Sequence, residues 1–260
     1  MTSLGVIFPP SEPPERLLLV ARAADDAGLD HLWLWEDCFK EGAIAMAAAA
    51  LASTQRLGIG IGLMPVPPRN VALTAMEVAT LERLFPGRVL PGVGHGVLDW
   101  MGQVGARAAS PMTLLREYTS ALRRLLHGET VTTSGQYVQL TDVTLDWPPT
   151  PAPPLLVGGE RERTLTLAGE LGDGAILAGG TGLDGVPEAI AHQRRGRELA
   201  GRDGAGDLVV FVEVDGRQPE QVAERVRAYT EAGATHVALH DTGDEPDLVR
   251  LVEQVAGLAR

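Results

Sequence analysis

The chain has 260 residues, 45% of them hydrophobic, which suffices for one large domain and is close to the length of a single α/β barrel. Its formal net charge is −12 and only 4% of residues are aromatic, so the surface repels phosphate backbones and anionic lipid and argues against nucleic-acid or membrane partners. Cys38 is the only cysteine, which rules out an internal disulfide and fits a reducing, cytoplasmic setting; the first ten residues lack the basic start of a signal peptide.

Eight short apolar runs alternate with longer amphipathic stretches. Leu4–Phe8 precedes a helical pattern at Leu17, Val20, Ala24 and Ala27, which Gly28 stops. His31–Trp35 leads into an alanine-rich helix from Ala43 to Ala52, about half the length of a membrane span and read as buried. Leu57–Met64 and Val89–Gly94 follow, and then Leu114, Leu115, Tyr118, Leu122 and Leu125 make a wide helical face ended by Gly128. Residues 129–154 break the rhythm. Val131–Thr133 and Gln136–Leu140 around Ser134-Gly135 predict a hairpin, and five prolines between Pro148 and Pro154 force an extended approach to the next run. Leu155–Gly159, Ala175–Gly179, Leu208–Val214 and His236–His240 complete the set; Pro219 opens one further helix, and Leu248, Leu251, Val252 and Val255 mark the last.

Runs that are apolar at nearly every position are strands covered on both faces. Eight strand–helix alternations imply parallel strands joined by right-handed crossovers. The pattern predicts one domain over residues 1–260, a (β/α)₈ TIM barrel with an irregular excursion between its fourth and fifth units. A doubly wound open sheet is the alternative that periodicity leaves open.

In such a barrel the site lies at the C-terminal strand ends. Glycine at every second place in Leu57–Met64 strips one face of side chains, leaving either room for a flat ligand or tight packing against larger neighbours. Gly92, Gly94 and His95 end the fourth run. His95 is a candidate proton carrier, although the strand parity that turns Gly92 and Gly94 inward turns His95 outward. Gly158, Gly159, Glu160 and Arg161 stand where a helix begins, as a phosphate site requires, and Gly179 and Gly180 form a second glycine edge. Glu36 and Asp37 end the second run as paired acids suited to proton transfer or to solvation. No zinc spacing, Walker loop or Gly-x-Ser-x-Gly is present, so no metal is expected.

The order of motifs resembles the luciferase-like monooxygenase family. Arg69-Asn70-Val71 followed by residues 79–88, Gly92–Gly96, residues 114–129, Pro153–Gly159 and Leu167–Gly174 carry the likeness over roughly residues 28–180. The resemblance implies a barrel holding the tricyclic ring of FMN or of the deazaflavin coenzyme F420. It places a β-bulge under the ring near Gly62, Leu63 and Met64, often with a non-proline cis peptide, sets Gly92 and Gly94 beside the ring, and puts Gly158–Glu160, Gly179 and Gly180 around the phosphate-bearing tail. Many deazaflavin relatives carry Asp-His after the second strand; here Glu36-Asp37 stand there, so the proton-handling group is open among His95, Asp37 and Glu36. Val97 occupies the place of an acid in the sugar-phosphate dehydrogenase branch, which argues against that substrate class.

The function implied is hydride transfer between bound coenzyme F420 and a small organic substrate. The alternatives are an FMN-dependent monooxygenase using reduced flavin and oxygen, a flavin-binding protein without turnover, and a phosphosugar-type barrel enzyme. A homodimer is expected from the resemblance.

Overall fold

The computed structural model describes residues 2–244 and 246–258. Eight parallel strands close into a barrel: β1 (Ser3–Phe8), β2 (His31–Leu34), β3 (Gly58–Pro65), β4 (Val89–Gly94), β7 (Leu156–Gly158), β8 (Gly174–Leu177), β9 (Asp207–Val214) and β10 (His236–Asp241). Their order around the barrel is β1-β10-β9-β8-β7-β4-β3-β2, and β1 pairs with both β10 and β2. That closure excludes the open sheet.

The intervening helices are α1 (Leu17–Ala27), α2 (Ala43–Ser53), α3 (Val71–Leu84), α4 (Leu98–Gln103), α5 (Pro111–Leu126), α6 (Glu162–Leu171), α7 (Gly185–Leu199), α8 (Pro219–Ala232) and α9 (Leu248–Leu258). Gly28 closes α1 at φ 79°, its N–H donating to Ala24 and Asp25 carbonyls. The short α4 has no counterpart in the sequence reading. Six residues are too few to establish a helical period.

Strand alternation divides the core in two. Leu4, Val6, Phe8, Leu32, Leu34, Ile59, Ile61, Val210, Val212, Val237 and Leu239 face outward and pack under the helices. Ile7, Trp33, Leu90, Leu156, Ile176, Val209, Phe211 and Ala238 fill the interior. Both faces of each strand are thus apolar, as the continuous runs required.

The excursion contains the hairpin β5 (Val131–Ser134) and β6 (Gln139–Val143). Its second strand begins at Gln139 rather than at the expected Gln136. The cause is Glu117 on α5, whose carboxylate accepts the N–H groups of Gln136, Tyr137 and Val138 at 2.8–3.0 Å. Those donors are thereby withdrawn from the ladder, and burial, which alone would raise the Glu117 pKa, is outweighed so that it falls below its usual value. No helix among the described residues is long and apolar enough to cross a membrane.

Candidate active site at the barrel mouth

The interior lanes run in steps of two residues: His31, Trp33 and Trp35 on β2 and its end; Gly58, Gly60 and Gly62 on β3; Val209, Phe211 and Glu213 on β9; His236, Ala238 and His240 on β10. The glycine face of β3 is occupied from within the protein. A Cβ added at Gly60 would lie 2.5 Å from Trp33 Cζ3, and one at Gly62 would lie 2.5 Å from Phe211 Cζ. Phe211 meets Trp33 edge-on, with ring centroids 5.6 Å apart. The space that alternating glycine opens on β3 therefore takes an indole and a phenyl ring, and a ligand must sit above them.

The upper layer begins with Trp35, 5.7 Å from Phe211 and T-shaped against His240 at 4.9 Å. The indole Nε1 of Trp35 is buried and has no hydrogen-bond partner. Burial pulls the His240 pKa below its ordinary value, against the opposing charges of Glu213 and Asp241.

β3 ends in the expected irregularity. The Gly62–Leu63 peptide is cis, and the pairing of β3 with β4 slips between Ile61 and Met64. Simple alternation from Ile61 would send Leu63 outward; the bulge instead turns it over the ends of β4 and β7. A Cβ at Gly94 would lie 3.2 Å from Leu63 Cδ1, and one at Gly158 would lie 3.5 Å from its Cγ, with a Leu63 methyl closer still in both cases. Leu63 is half-buried and makes an apolar cover over two buried glycines.

Four of the residues expected at the ligand lie in the core or beneath another side chain. Met64 is fully buried in the outer core, on the far side of the bulge. Gly92 is buried, and its missing side chain admits Ile176 and the Ile61 carbonyl, 2.5 Å from where a Cβ would stand. Gly94 and Gly158 lie beneath Leu63, so they shape the mouth through that side chain.

The second-strand acids have separate environments. Glu36 forms a bidentate ion pair with Arg69, at 2.6 and 2.7 Å to Nη2, and accepts the first N–H of α2 from Ala43 at 2.9 Å. Arg69 also reaches Glu77 at 3.3 Å. Glu36 is an anchoring anion that joins the loops after β2 and β3. Burial raises the pKa of the half-buried Asp37, with Lys40 opposing. His95 follows the last residue of β4; its Nδ1 is buried without a partner and burial lowers its pKa.

At the start of α6, no side chain caps the helix, and Glu160 and Arg161 are exposed. Gly159 has other duties. Its N–H donates to the Ile176 carbonyl at 3.0 Å, and a Cβ there would meet Thr164 Cβ at 2.7 Å. Gly179 and Gly180 are exposed, and Gly180 has φ 92°. Glu213 leans over that edge, with Oε1 3.2 Å from the position of a Gly179 Cβ. The two glycine edges thus differ in kind: a helix N-terminus flanked by Glu160, Arg161 and Glu162 on one side, the Glu213 carboxylate on the other.

His240, Glu213 and Phe211 were not singled out from sequence. Counting two residues at a time upward from Ala238 and Val209 finds all three, but that requires knowing which face of each strand is interior. Among the described residues, no three His, Cys, Asp or Glu side chains are grouped to hold a metal ion.

The model of the luciferase-like monooxygenase family matches residues 5–215. A 5,10-methylenetetrahydromethanopterin reductase of Methanolobus tindarius is 25% identical over 249 residues, covering 94% of this chain and 76% of the relative. An F420-dependent glucose-6-phosphate dehydrogenase of Kineococcus radiotolerans is 28% identical over 260 residues, covering 93% and 76%. In fold, an F420-dependent secondary alcohol dehydrogenase solved with an F420–acetone adduct superposes with a TM-score of 0.90 at 19% identity, covering 99% of this chain and 98% of that one.

Proposed function

This chain belongs to the luciferase-like monooxygenase family, and we propose that it is an oxidoreductase exchanging a hydride between bound coenzyme F420 and a small organic substrate. The observation that carries the reading is the Leu63 cover. A bulge between Ile61 and Met64 turns one apolar side chain across the ends of β4 and β7, leaving a ledge with Trp35 as an aromatic side chain of the same mouth. A flat, largely apolar ring needs such a support, and apolar side chains including Trp33, Ile176 and Phe211 fill the interior beneath the mouth.

The residues present fit the group. Gly62 and Leu63 would carry the ring. The free N–H groups at the start of α6 would hold the tail, the helix dipole and the Arg161 guanidinium favouring its phosphate, with Glu160 placed to accept from hydroxyl groups of the tail. The Gly179–Gly180 edge, under Glu213, suits hydroxyl groups better than phosphate, because a carboxylate accepts hydrogen bonds from hydroxyls and repels anions. When bound, the deazaflavin would supply a ring carbon that takes or gives the hydride. The protein would orient the partners and hold a proton; Asp37 and His95 have titratable atoms available for it, whereas Glu36 is committed to Arg69.

The relative that acts on glucose 6-phosphate does not set the substrate class here. Val97 is exposed in the loop after β4 and offers a phosphosugar nothing to bind. A homodimer is part of the same reading. Leu73, Met76 and Leu84 on α3 are 50, 57 and 65% exposed and lie with Thr80 on one helical face. Light scattering should give twice the chain mass, and Met76→Glu should return it to one.

Titration of the purified protein with F420 and with FMN, followed by ring absorbance and fluorescence, tests the function. Saturable binding of F420 is expected. Gly94→Ala, which pushes Leu63 upward, should weaken ring binding about tenfold. Binding of FMN alone would replace hydride transfer by oxygen chemistry, and binding of neither below about millimolar concentration would remove both.

A further inference from the structure

We propose that His31 and His236 form a binding site for one late first-row divalent cation of the Zn²⁺ class. The site lies at the N-terminal end of the barrel, opposite the mouth, and is independent of the hydride-transfer reading.

The two imidazoles belong to the strands on either side of the first. His31 opens β2, His236 opens β10, and β1 pairs with both. Ile7 of β1 is interior, so Gly5 and Ser3 face inward below it. Gly5 stands opposite His31 and Ser3 opposite His236, and β1 therefore puts no bulk between the two rings. They meet across it with centroids 5.3 Å apart and planes tilted by 53°. Two imidazoles on one tetrahedral ion, with metal–nitrogen bonds of about 2.0–2.1 Å, have centroids roughly 5 Å apart, so the pair stands at the spacing of a chelate.

Ring contact alone could give that spacing; the nitrogens carry the inference. A Cβ added at Gly58 would lie 2.9 Å from His31 Nε2, with Cδ2 closer still, so this edge of the ring faces β3. Nδ1 is the ring atom opposite that edge. It points towards β1 and β10, where it is buried without a partner. In His236 the roles are reversed. Nδ1 lies 2.9 Å from Thr235 Oγ1, itself held by the Leu208 N–H at 2.8 Å, which leaves Nε2 as the second donor atom. Metal-bound histidines commonly spend their other nitrogen on such an orienting bond.

The surroundings select a cation. Burial keeps both imidazoles neutral near pH 7, the form that binds metal. Apart from the rings themselves, the charges acting on them are acidic: Asp30 on both and Asp207 on His236. Asp30 is tied to the Leu4 N–H at 2.8 Å and supplies field rather than a bond to the ion. His31 and His236 are each partly exposed, so a hydrated ion can enter from the barrel's lower face. With no third ligating side chain grouped with them among the described residues, water completes the coordination. Imidazole nitrogen suits Zn²⁺, Ni²⁺ and Cu²⁺, whereas Mg²⁺ and Ca²⁺ take oxygen. A bound ion ties β2 to β10 across the first strand, at the seam where the two ends of the chain close the barrel.

The test uses the full chain, stripped with EDTA and dialysed, then titrated calorimetrically with ZnCl₂ and, for comparison, MgCl₂. One Zn²⁺ per chain is expected, with a dissociation constant on the order of 10 µM, weaker than a four-ligand structural site. Mg²⁺ should not bind. Zn²⁺ at a hundredfold over its dissociation constant should raise the melting temperature by about 5–10 °C. CuCl₂ should bind more tightly and quench part of the tryptophan fluorescence as it saturates, because the Trp33 ring is 6.3 Å from that of His31 and 6.4 Å from that of His236. His31→Gln and His236→Gln should each weaken Zn²⁺ binding at least tenfold and remove the melting shift. His192→Gln, which alters the surface histidine 3.5 Å from Glu188, should change neither. Should one of the two variants fail to fold, the other decides; should both fail, loss of the copper quench in Trp33→Phe takes their place. No saturable Zn²⁺ binding below about 1 mM, Mg²⁺ binding as tight as Zn²⁺, or Zn²⁺ binding and a melting shift that survive the histidine substitutions overturns the inference. F420 titration is unaffected by any of these results and judges the functional reading separately.

Discussion

Replacing Gly60 by alanine separates the two meanings of glycine in β3. Trp33 is fully buried and lies in a slot between Gly60 on β3 and Gly5 on β1; an added Cβ at Gly60 would stand 2.5 Å from Trp33 Cζ3, and one at Gly5 would stand 2.9 Å from Cδ1. Neither wall can yield cheaply. The indole is also stopped by Phe211 at 5.6 Å and His236 at 6.4 Å between centroids. Overpacking of this kind costs about 1–3 kcal/mol, and with both sides closed the upper end applies. The lower chain entropy of alanine in the unfolded state returns about 0.4–1 kcal/mol. The net loss is then about 2 kcal/mol, and for a chain of this size each kcal/mol moves the melting temperature by about 2–4 °C. Calorimetry should record a fall of about 4–8 °C. In a Trp33→Leu background the same substitution should cost under about 1 kcal/mol, a coupling that a double-mutant cycle reads directly. An unchanged melting temperature with weakened ring binding would refute the packing argument and return the β3 glycines to the ligand.

Three further outcomes follow. Glu36→Gln leaves Arg69 with only Glu77 and removes the anion at the start of α2; a loss of about 2 kcal/mol in urea unfolding is expected, with no change in the pH midpoint of activity, and a shifted midpoint would restore Glu36 as a proton carrier. At the other end of the barrel, burial and the neighbouring His236 lower the His31 pKa to about 4. The unfolded chain therefore binds this proton more readily, so the stabilising term is complete above about pH 6.5 and is lost as pH falls towards 4, by an amount on the order of 3 kcal/mol. His31→Gln should flatten the stability–pH curve in that window, and an unaltered slope would contradict the neutral, buried imidazole. Glu117→Ala releases three backbone N–H groups of the hairpin; proteolysis or amide exchange at 136–138 should accelerate at least tenfold while the barrel melts within a few degrees of wild type, and unchanged protection would show that the hairpin needs no anchor.

Much of the architecture could be read before any coordinates because parallel strands covered on both faces leave an unusually plain trace. Val89–Gly94 matches its strand end to end, and the other seven barrel runs differ from theirs by a residue or two. The hairpin register was not legible, since it depends on Glu117, a residue on α5 that no local pattern connects with Gln136. The surroundings of Glu36 were hidden for the same reason. Two adjacent acids look alike in sequence; the difference between them is Arg69, 33 residues away. The bulge at Gly62–Leu63 came from family likeness alone, because nothing in Gly-Ile-Gly-Ile-Gly-Leu-Met states where the pairing slips.

The glycines show why a site is harder to read than a fold. An absent side chain marks a close approach without naming what approaches. At Gly60 it is Trp33, at Gly62 Phe211, at Gly92 Ile176, and at Gly94 and Gly158 Leu63. All four occupants come from a strand other than that of the glycine they fill, and sequence position alone does not pair them. The useful complement is a side chain with an unmet need. Trp35, with its buried and unpartnered Nε1, gives such a signal, and it points to the same mouth as the Leu63 ledge. A glycine-lined interior packed solid up to Phe211, beneath a layer that still lacks an acceptor, separates the part of the barrel built for stability from the part left for a ligand.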